Sequence, residues 1–408
     1  MHDVLIIGAG PAGLMAADHL SEAGYCVAIV EQMPSPARKL LMAGRGGLNL
    51  THSEALDRFI PRYREAASFL APYIQAFPPD ALRDWCHELG QETFVGSSGR
   101  VFPKAMKASP LLRALMERLG SRNVELFLRR RWTGFGPDRV LTFNDENGER
   151  VEMRARAVLL GLGGASWPKL GATGDWVDVL KHESIEISPI RPANCGFHVD
   201  WSDILKDRFA GAPLKGVVLS IGEKSVGGEA IISQKGLEGG VVYALSAEIR
   251  DVITASGSAE ITLDLRPDSC LADLETRLSA PRRKQSASTF LRKSAGLSPV
   301  QIALLREAGP LPLEASALAA RIKSLPLTMT APYDINRAIS TAGGISLDEV
   351  GSDLMLTKLP GVFVAGEMLD WEAPTGGYLL QACFATGLAA AKGISAYLDK
   401  TGKRDAQS

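Results

Sequence analysis

The chain has 408 residues, 46% of them hydrophobic, which is enough for a large core and two or three domains. Its formal net charge is −1 and its pI is near 6.6, so there is no global attraction to nucleic acid or anionic lipid. Five cysteines with no CxxC pair argue against a disulfide framework or a redox dithiol and point to a reducing cytoplasm.

Met1 to Glu31 organises the rest. Val4 to Ile7 is a short apolar run of strand type, followed at once by Gly8-Ala9-Gly10-Pro11-Ala12-Gly13. A helical pattern covers Leu14 to Ala23 and stops at Gly24. A second apolar run, Tyr25 to Val30, ends in Glu31. Strand, glycine-rich turn, helix, strand and acid follow in the order of a dinucleotide-binding unit. Gly8 allows the tight turn, Gly10 lets a pyrophosphate approach the backbone, and Gly13 lets the helix pack closely. The helix start presents free N–H groups and a partial positive charge to that pyrophosphate. Glu31 accepts from ribose hydroxyls and repels a 2′-phosphate, which favours FAD or NAD over NADP. The apolar N-terminus lacks the basic region of a signal peptide. No apolar segment reads as long enough to span a bilayer, so a soluble protein is expected.

Gln32 to Leu50 is loop-like and glycine-dense, with Arg38, Lys39 and Arg45 available to offset phosphate charge. Asn49, Thr51 and His52 supply polar groups for a flavin ring or a substrate. Asp57 to Leu89 and Leu111 to Leu119 read as helical, and Phe94 to Lys104 as a hairpin. Val124 to Phe135, Arg139 to Phe143 and Val151 to Arg156 read as strands. The run Arg129-Arg130-Arg131 reads as a solvated edge. Ala157 to Leu160 is a buried strand that opens into Gly161-Leu162-Gly163-Gly164. These glycines read as a second wall of the same cofactor site.

From about residue 190 to about 330 the pattern changes to a β-rich module with a helical appendage, inserted between two cofactor-binding halves. Its most basic patch, Arg282-Arg283-Lys284 with Arg292-Lys293, reads as a solvated helix face. The chain then returns through Thr341-Ala342-Gly343-Gly344 and the strand Val362 to Ala365, which ends in Gly366-Glu367. Thr375-Gly376-Gly377-Tyr378 opens a long final helix, whose positive end favours a reduced flavin.

The motifs Gly8 to Gly13 with Glu31, Gly44 to His52, Gly161 to Asp175 and Thr341 through Gly387 resemble those of the FAD-dependent oxidoreductase family that includes YhiN and BaiN. The resemblance covers nearly the whole chain. It departs at Gly46-Gly47-Leu48-Asn49, where members commonly carry a cysteine before the asparagine. It implies an α/β fold: a Rossmann-like FAD/NAD(P)-binding domain with a parallel sheet and a β-hairpin layer, and an inserted β-barrel-like domain with a helical subdomain. The domains expected are 1–190 with 331–408 for FAD, and 191–330 as a substrate or cap domain with helices at about 268–325.

The resemblance also implies tightly bound, non-covalent FAD. Gly8, Gly10, Pro11, Ala12, Gly13 and Glu31 would hold the ADP part. Gln32, Lys39, Gly44, Arg45, Gly46, Gly47, Asn49, Leu50, Gly163 and Gly164 are further expected cofactor-binding residues. Gly366 and Glu367 would hold the ribityl-pyrophosphate, and Gly376, Gly377 and Tyr378 the pyrimidine side. His52, Tyr378 and Asp370 are candidate proton donors, and no metal site is expected.

The expected activity is flavin-mediated hydride transfer to or from a small organic substrate. Its narrower form is NAD(P)H-dependent reduction of an activated double bond, with NAD(P)H as a transient reductant. The alternatives are an RNA-modifying flavoprotein, for which the overall charge gives little support, and a non-enzymatic FAD-binding sensor. Neither nucleic acid nor membrane is expected as a partner.

Overall fold

In the strand His2–Ile7, Val4 to Ile7 are apolar on both faces and buried, as a strand covered by helices on two sides must be. The computed structural model describes residues 2–405, with the side chains of Arg45 and of 403–405 outside the description. The chain forms two compact units, Met1–Arg191 with Ser340–Ser408, and Pro192–Ile339.

The first unit is built on a five-stranded sheet in the order Val362–Val364, Ala155–Leu160, His2–Ile7, Val27–Val30, Glu125–Phe127. Every neighbouring pair is parallel. The first and last parts of the chain therefore share one sheet. The helix Pro11–Glu22 crosses from the first strand to the second, and the long helix Tyr378–Asp405 packs against it. A three-stranded antiparallel layer follows, Arg131–Phe135, Leu141–Asn144 and Arg150–Met153. The expected single strand over 124–135 is thus two strands of different sheets. The chain turns between them at Arg129, whose φ is +55°.

The second unit is a six-stranded antiparallel sheet with strands Phe197–His198, Gly236–Glu238, Lys224–Ile232, Pro213–Ile221, Ala259–Asp264 and Leu325–Met329 in spatial order. Phe197 bridges Pro332, and His198 exchanges backbone hydrogen bonds with Thr330 and Ala331, so the two edges close the sheet into a barrel. This closure also explains a shifted boundary. Residues 331–339, expected with the FAD-binding unit, group with the inserted one, where Tyr333 N–H donates to the Gly196 carbonyl. Helices Leu271–Leu278, Ala287–Ser294, Pro299–Glu307 and Ala315–Lys323 form the appendage.

One expectation is corrected. By length and composition, Tyr378–Gly402 is apolar enough to cross a bilayer. It serves instead as a core helix, with 61% of its most apolar stretch buried inside the protein. Small residues make this packing possible. A Cβ on Gly387 would lie 2.3 Å from the Ala12 carbonyl oxygen. Gly387→Ala must therefore push two helices apart, at a cost of about 1–3 kcal/mol. Gly120→Ala, in an exposed helix position with nothing within 4 Å, gains up to about 1 kcal/mol from helix propensity. Urea midpoints of the two variants should move in opposite directions.

Candidate functional site

A cleft opens at the carboxyl ends of the parallel strands, where such sheets place their ligands. Gly8, Gly10, Pro11, Ala12, Glu31, Gln32, Lys39, Gly163, Gly366 and Glu367 line it. Gly8 has φ +105°, and a Cβ there would sit 2.3 Å from the Gly161 carbonyl oxygen. A Cβ on Gly13 would sit 2.1 Å from the Gly8 carbonyl oxygen. These two glycines are required by the fold itself. Gly10 is different, because the nearest protein atom to its Cβ position is 4.0 Å away. Protein packing does not require a glycine there, whereas an approaching diphosphate does. The helix that starts here has no side-chain cap, so its first N–H groups remain available to a ligand.

Glu31 stands at the end of the second strand. Its Oε2 accepts from Ala9 N–H at 3.0 Å and its Oε1 from Met33 N–H at 2.8 Å. Burial pushes its carboxyl above the ordinary range, and the hydrogen bonds from Met33 and Ala9 only partly offset this. Each oxygen keeps a lone pair for a ribose hydroxyl. Gln32 donates to the Gly171 carbonyl at 2.5 Å and ties down the loop that forms the far wall. Lys39 Nζ bonds Glu367 Oε2 at 2.8 Å and Ser166 Oγ at 2.7 Å, and Glu367 Oε1 accepts from Thr341 N–H at 3.0 Å. This network joins residues 39, 166, 341 and 367 across the sheet ends.

A second cluster surrounds the start of the terminal helix. Gly377 has φ +96°, and a Cβ there would lie 2.5 Å from Thr51 Cα. Thr51 Oγ1, Asn49 Oδ1 and Gln381 Oε1 are buried and have no hydrogen-bond partner. Buried orphan groups of this kind are costly unless a ligand completes them. Tyr378 is buried and donates its hydroxyl to Glu54 Oε1 at 2.6 Å. Arg62 holds the same carboxylate through Nε at 3.0 Å and Nη2 at 2.9 Å, and its guanidinium lies 5.8 Å from the Tyr378 ring centre. Burial and the Glu54 carboxylate push the Tyr378 hydroxyl well up, so it is protonated at neutral pH. Burial also works to raise the Glu54 carboxyl, but hydrogen bonds from Arg62 and Tyr378 outweigh it and hold that carboxyl down.

The three candidate proton donors are placed differently. His52 stacks on Tyr378 at 5.5 Å, but its Nδ1 accepts from Glu54 N–H at 3.1 Å and its Nε2 meets the Ser98 carbonyl at 3.0 Å. Both ring nitrogens are therefore occupied by backbone. Asp370 is held by its own N–H to the Ile345 carbonyl and does not line the cleft.

Gly44 packs against Ala108, Gly47 against Met106, and Leu50 lies wholly in the core. Gly46 has nothing within 4 Å of its Cβ position, and Gly164 packs on Thr341. None of these five lines the cleft. The Arg45 side chain lies outside the described residues.

The arginine run is a solvated edge only in part. Arg129 and Arg131 are exposed and paired with Glu146 and Asp175, but Arg130 and Arg131 also line the cleft wall with Trp132. Trp132 Nε1 is a buried donor with no partner. Glu54, Arg62 and Trp132 were missed because nothing local in the sequence marks them.

The profile of the HI0933-like protein Rossmann domain matches residues 2–393. The chain belongs to this family. It is an FAD-dependent oxidoreductase, and its residues fit that cofactor: a bare glycine edge at Gly10, a ribose acid at Glu31, and orphaned polar atoms beside Gly377.

The chain is similar to a 3-dehydro-bile acid delta(4,6)-reductase of Clostridium scindens, at 24% identity over 96% of this chain and 98% of the relative. It is similar to a ribosomal RNA dihydrouridine synthase of Escherichia coli, at 23% identity over 97% and 98%. Among solved structures, a 3-ketosteroid delta1-dehydrogenase of Sterolibacterium denitrificans shares the fold, with a TM-score of 0.55 and 13% identity over 97% of this chain and 99% of that one.

Two outcomes are expected here. Gly10→Val keeps the circular dichroism of the wild type but is purified with much less flavin, read as absorbance near 450 nm against 280 nm. Full flavin content would show that the cofactor does not pass Gly10. Arg62→Gln leaves only the Tyr378 hydrogen bond and weaker charge effects to oppose the burial of the Glu54 carboxyl. In the wild type the depressed Glu54 value contributes stability above the unfolded value near 4.5, lost as pH falls through the folded value. The variant should therefore be less stable than wild type at pH 7, with the gap closing toward pH 3 in urea titrations.

Proposed function

We propose that this protein reduces a carbon–carbon double bond conjugated to a carbonyl. The observation that carries the reading is the Tyr378–Glu54–Arg62 network, a protonated hydroxyl at the helix start, beside the unpartnered Asn49 and Thr51. Two relatives with nearly full mutual coverage support it. One is named for reducing ring double bonds of a keto bile acid, the other for making dihydrouridine, a uracil whose ring double bond has been reduced.

Bound FAD would supply the hydride. The chain's own residues orient the acceptor and deliver the matching proton. Tyr378 is the proton donor in this reading: its raised pKa keeps it protonated at neutral pH, and a carbanion-like centre beside a carbonyl is basic enough to take that proton. Arg62 keeps Glu54 ionised, so Glu54 orients the Tyr378 hydroxyl as an acceptor. Lys39 and Glu367 fix the two chain ends that frame the cleft. NAD(P)H serves as a transient reductant, because the chain has one complete nucleotide motif. A cytoplasmic setting belongs to the same proposal, since all five cysteines are free.

The test is anaerobic. Reduced protein is mixed with a conjugated cyclic enone such as 4-androstene-3,17-dione, and with uridine-containing RNA, while flavin reoxidation is followed near 450 nm. Reoxidation by one of them is expected, and Tyr378→Phe should slow it by about 100- to 10,000-fold. Bleaching of the oxidised flavin by NADH or NADPH should be unchanged in that variant. Reoxidation by oxygen alone would sink the reading.

A further inference from the structure

Between Glu275 and Glu307 the chain carries seven Lys or Arg and no Asp or Glu, in a protein whose net charge is −1. Net charge averages over the whole molecule, whereas a ligand meets local density. In the inserted unit this segment folds into the helices Ala287–Ser294 and Pro299–Glu307, and with Asp203–Phe209 they frame a groove of about 650 Å³. Arg208, Arg292 and Arg306 come from three different helices and line it together.

Among the described residues none of the three makes an ion pair. Arg306 donates to Ser288 Oγ at 2.9 Å, and Arg208 lies 5.7 Å from the Phe209 ring centre. Glu307 is the acid at the groove, and it is turned to Ser202, accepting from its N–H at 2.8 Å and its hydroxyl at 2.7 Å. Three guanidinium groups gathered without carboxylate partners repel one another. Such an arrangement is stable at low cost only where solvent or an anion neutralises it. Ser288 and Thr289 add hydroxyl groups to the floor, and Ile204, 66% exposed, adds an apolar edge. Guanidinium forks, hydroxyls and a small apolar platform are the side chains that meet phosphates and base faces.

We infer that this groove docks the phosphate backbone of an RNA. The choice of RNA rests on the double-bond reading above, because uracil is the nucleic-acid base whose reduction that chemistry describes. The arginine groove itself is observed independently of that reading.

The test uses the full-length flavoprotein, a fluorescein-labelled stem-loop RNA containing unpaired uridines, and anisotropy at 50 and 200 mM salt. Three phosphate contacts predict a fall in affinity of about 20- to 40-fold between those concentrations. Arg208→Gln with Arg292→Gln should weaken binding at 50 mM at least about 10-fold and flatten the salt dependence by about two-thirds. This pair leaves the Arg306–Ser288 bond intact, and unchanged flavin absorbance and melting would verify the fold. Arg282→Gln with Arg283→Gln, outside the groove, should have the smaller effect.

Unchanged RNA binding in the Arg208/Arg292 variant overturns the proposal. So does a groove-dependent loss of binding to phosphatidylserine vesicles with no RNA binding in the wild type. The enone reoxidation assay is independent of the groove, so failure of the reduction reading and failure of RNA docking are separately visible.

Discussion

Backbone touching backbone at Gly8, Gly13 and Gly161 is the constraint on which the cofactor-binding unit depends. Two segments far apart in sequence meet where no Cβ fits between Gly8 and Gly161, and within the first of them none fits between Gly13 and Gly8. That approach fixes the first helix against the strand ends and aims its free N–H groups along the cleft. The same helix meets the terminal helix at Ala12 and Gly387, again with no room for a side chain. The phosphate-facing edge is thus held from both sides by contacts that leave little freedom to adjust. Gly10, whose Cβ position is open, is the glycine that this packing does not explain.

Around that frame the charges are arranged unevenly. Arg38, Lys39, Arg130 and Arg131 face the cleft, while the acids present there have specific partners: Glu31 with backbone N–H groups, Glu367 with Lys39, and Asp175 with Arg131. An ordinary surface mixes signs. Here each of the acids is held by a partner, and two of the four cations, Lys39 and Arg131, are the partners that hold Glu367 and Asp175. Cys383, which also lines the cleft, is buried, and burial pushes its thiol well up, so it acts as a small apolar wall rather than a nucleophile.

Much of this was legible in the sequence because it is local. Strand, Gly8 to Gly13, helix and Glu31 lie within one short stretch whose spacing reports its geometry. Gly366-Glu367 and Gly376-Gly377 were legible for the same reason. What escaped was set by contacts between distant residues. Nothing near Glu54 or Arg62 announces Tyr378, over three hundred residues later. Arg130 was read with its neighbours as a solvated edge because the turn at Arg129 cannot be read from three arginines in a row. Residues 331–339 carry no composition that assigns them to either unit; contacts such as the bridge from Phe197 to Pro332 and the bond from Tyr333 to Gly196 do so. The terminal helix was underestimated because its alanines and glycines make it moderately rather than strongly apolar.

The parallel sheet places Val362–Val364 beside Ala155–Leu160, and the last helix against the first. A ribosome makes these partners in the opposite order from the one in which they are needed. The phosphate loop emerges at once and the wall at Gly161 to Gly171 follows, but both wait through the whole inserted barrel before Gly366-Glu367 and the closing helix exist. The barrel, contiguous from Pro192 to Ile339, has all its strands available earlier. The cleft is therefore complete only after the last helix has been made.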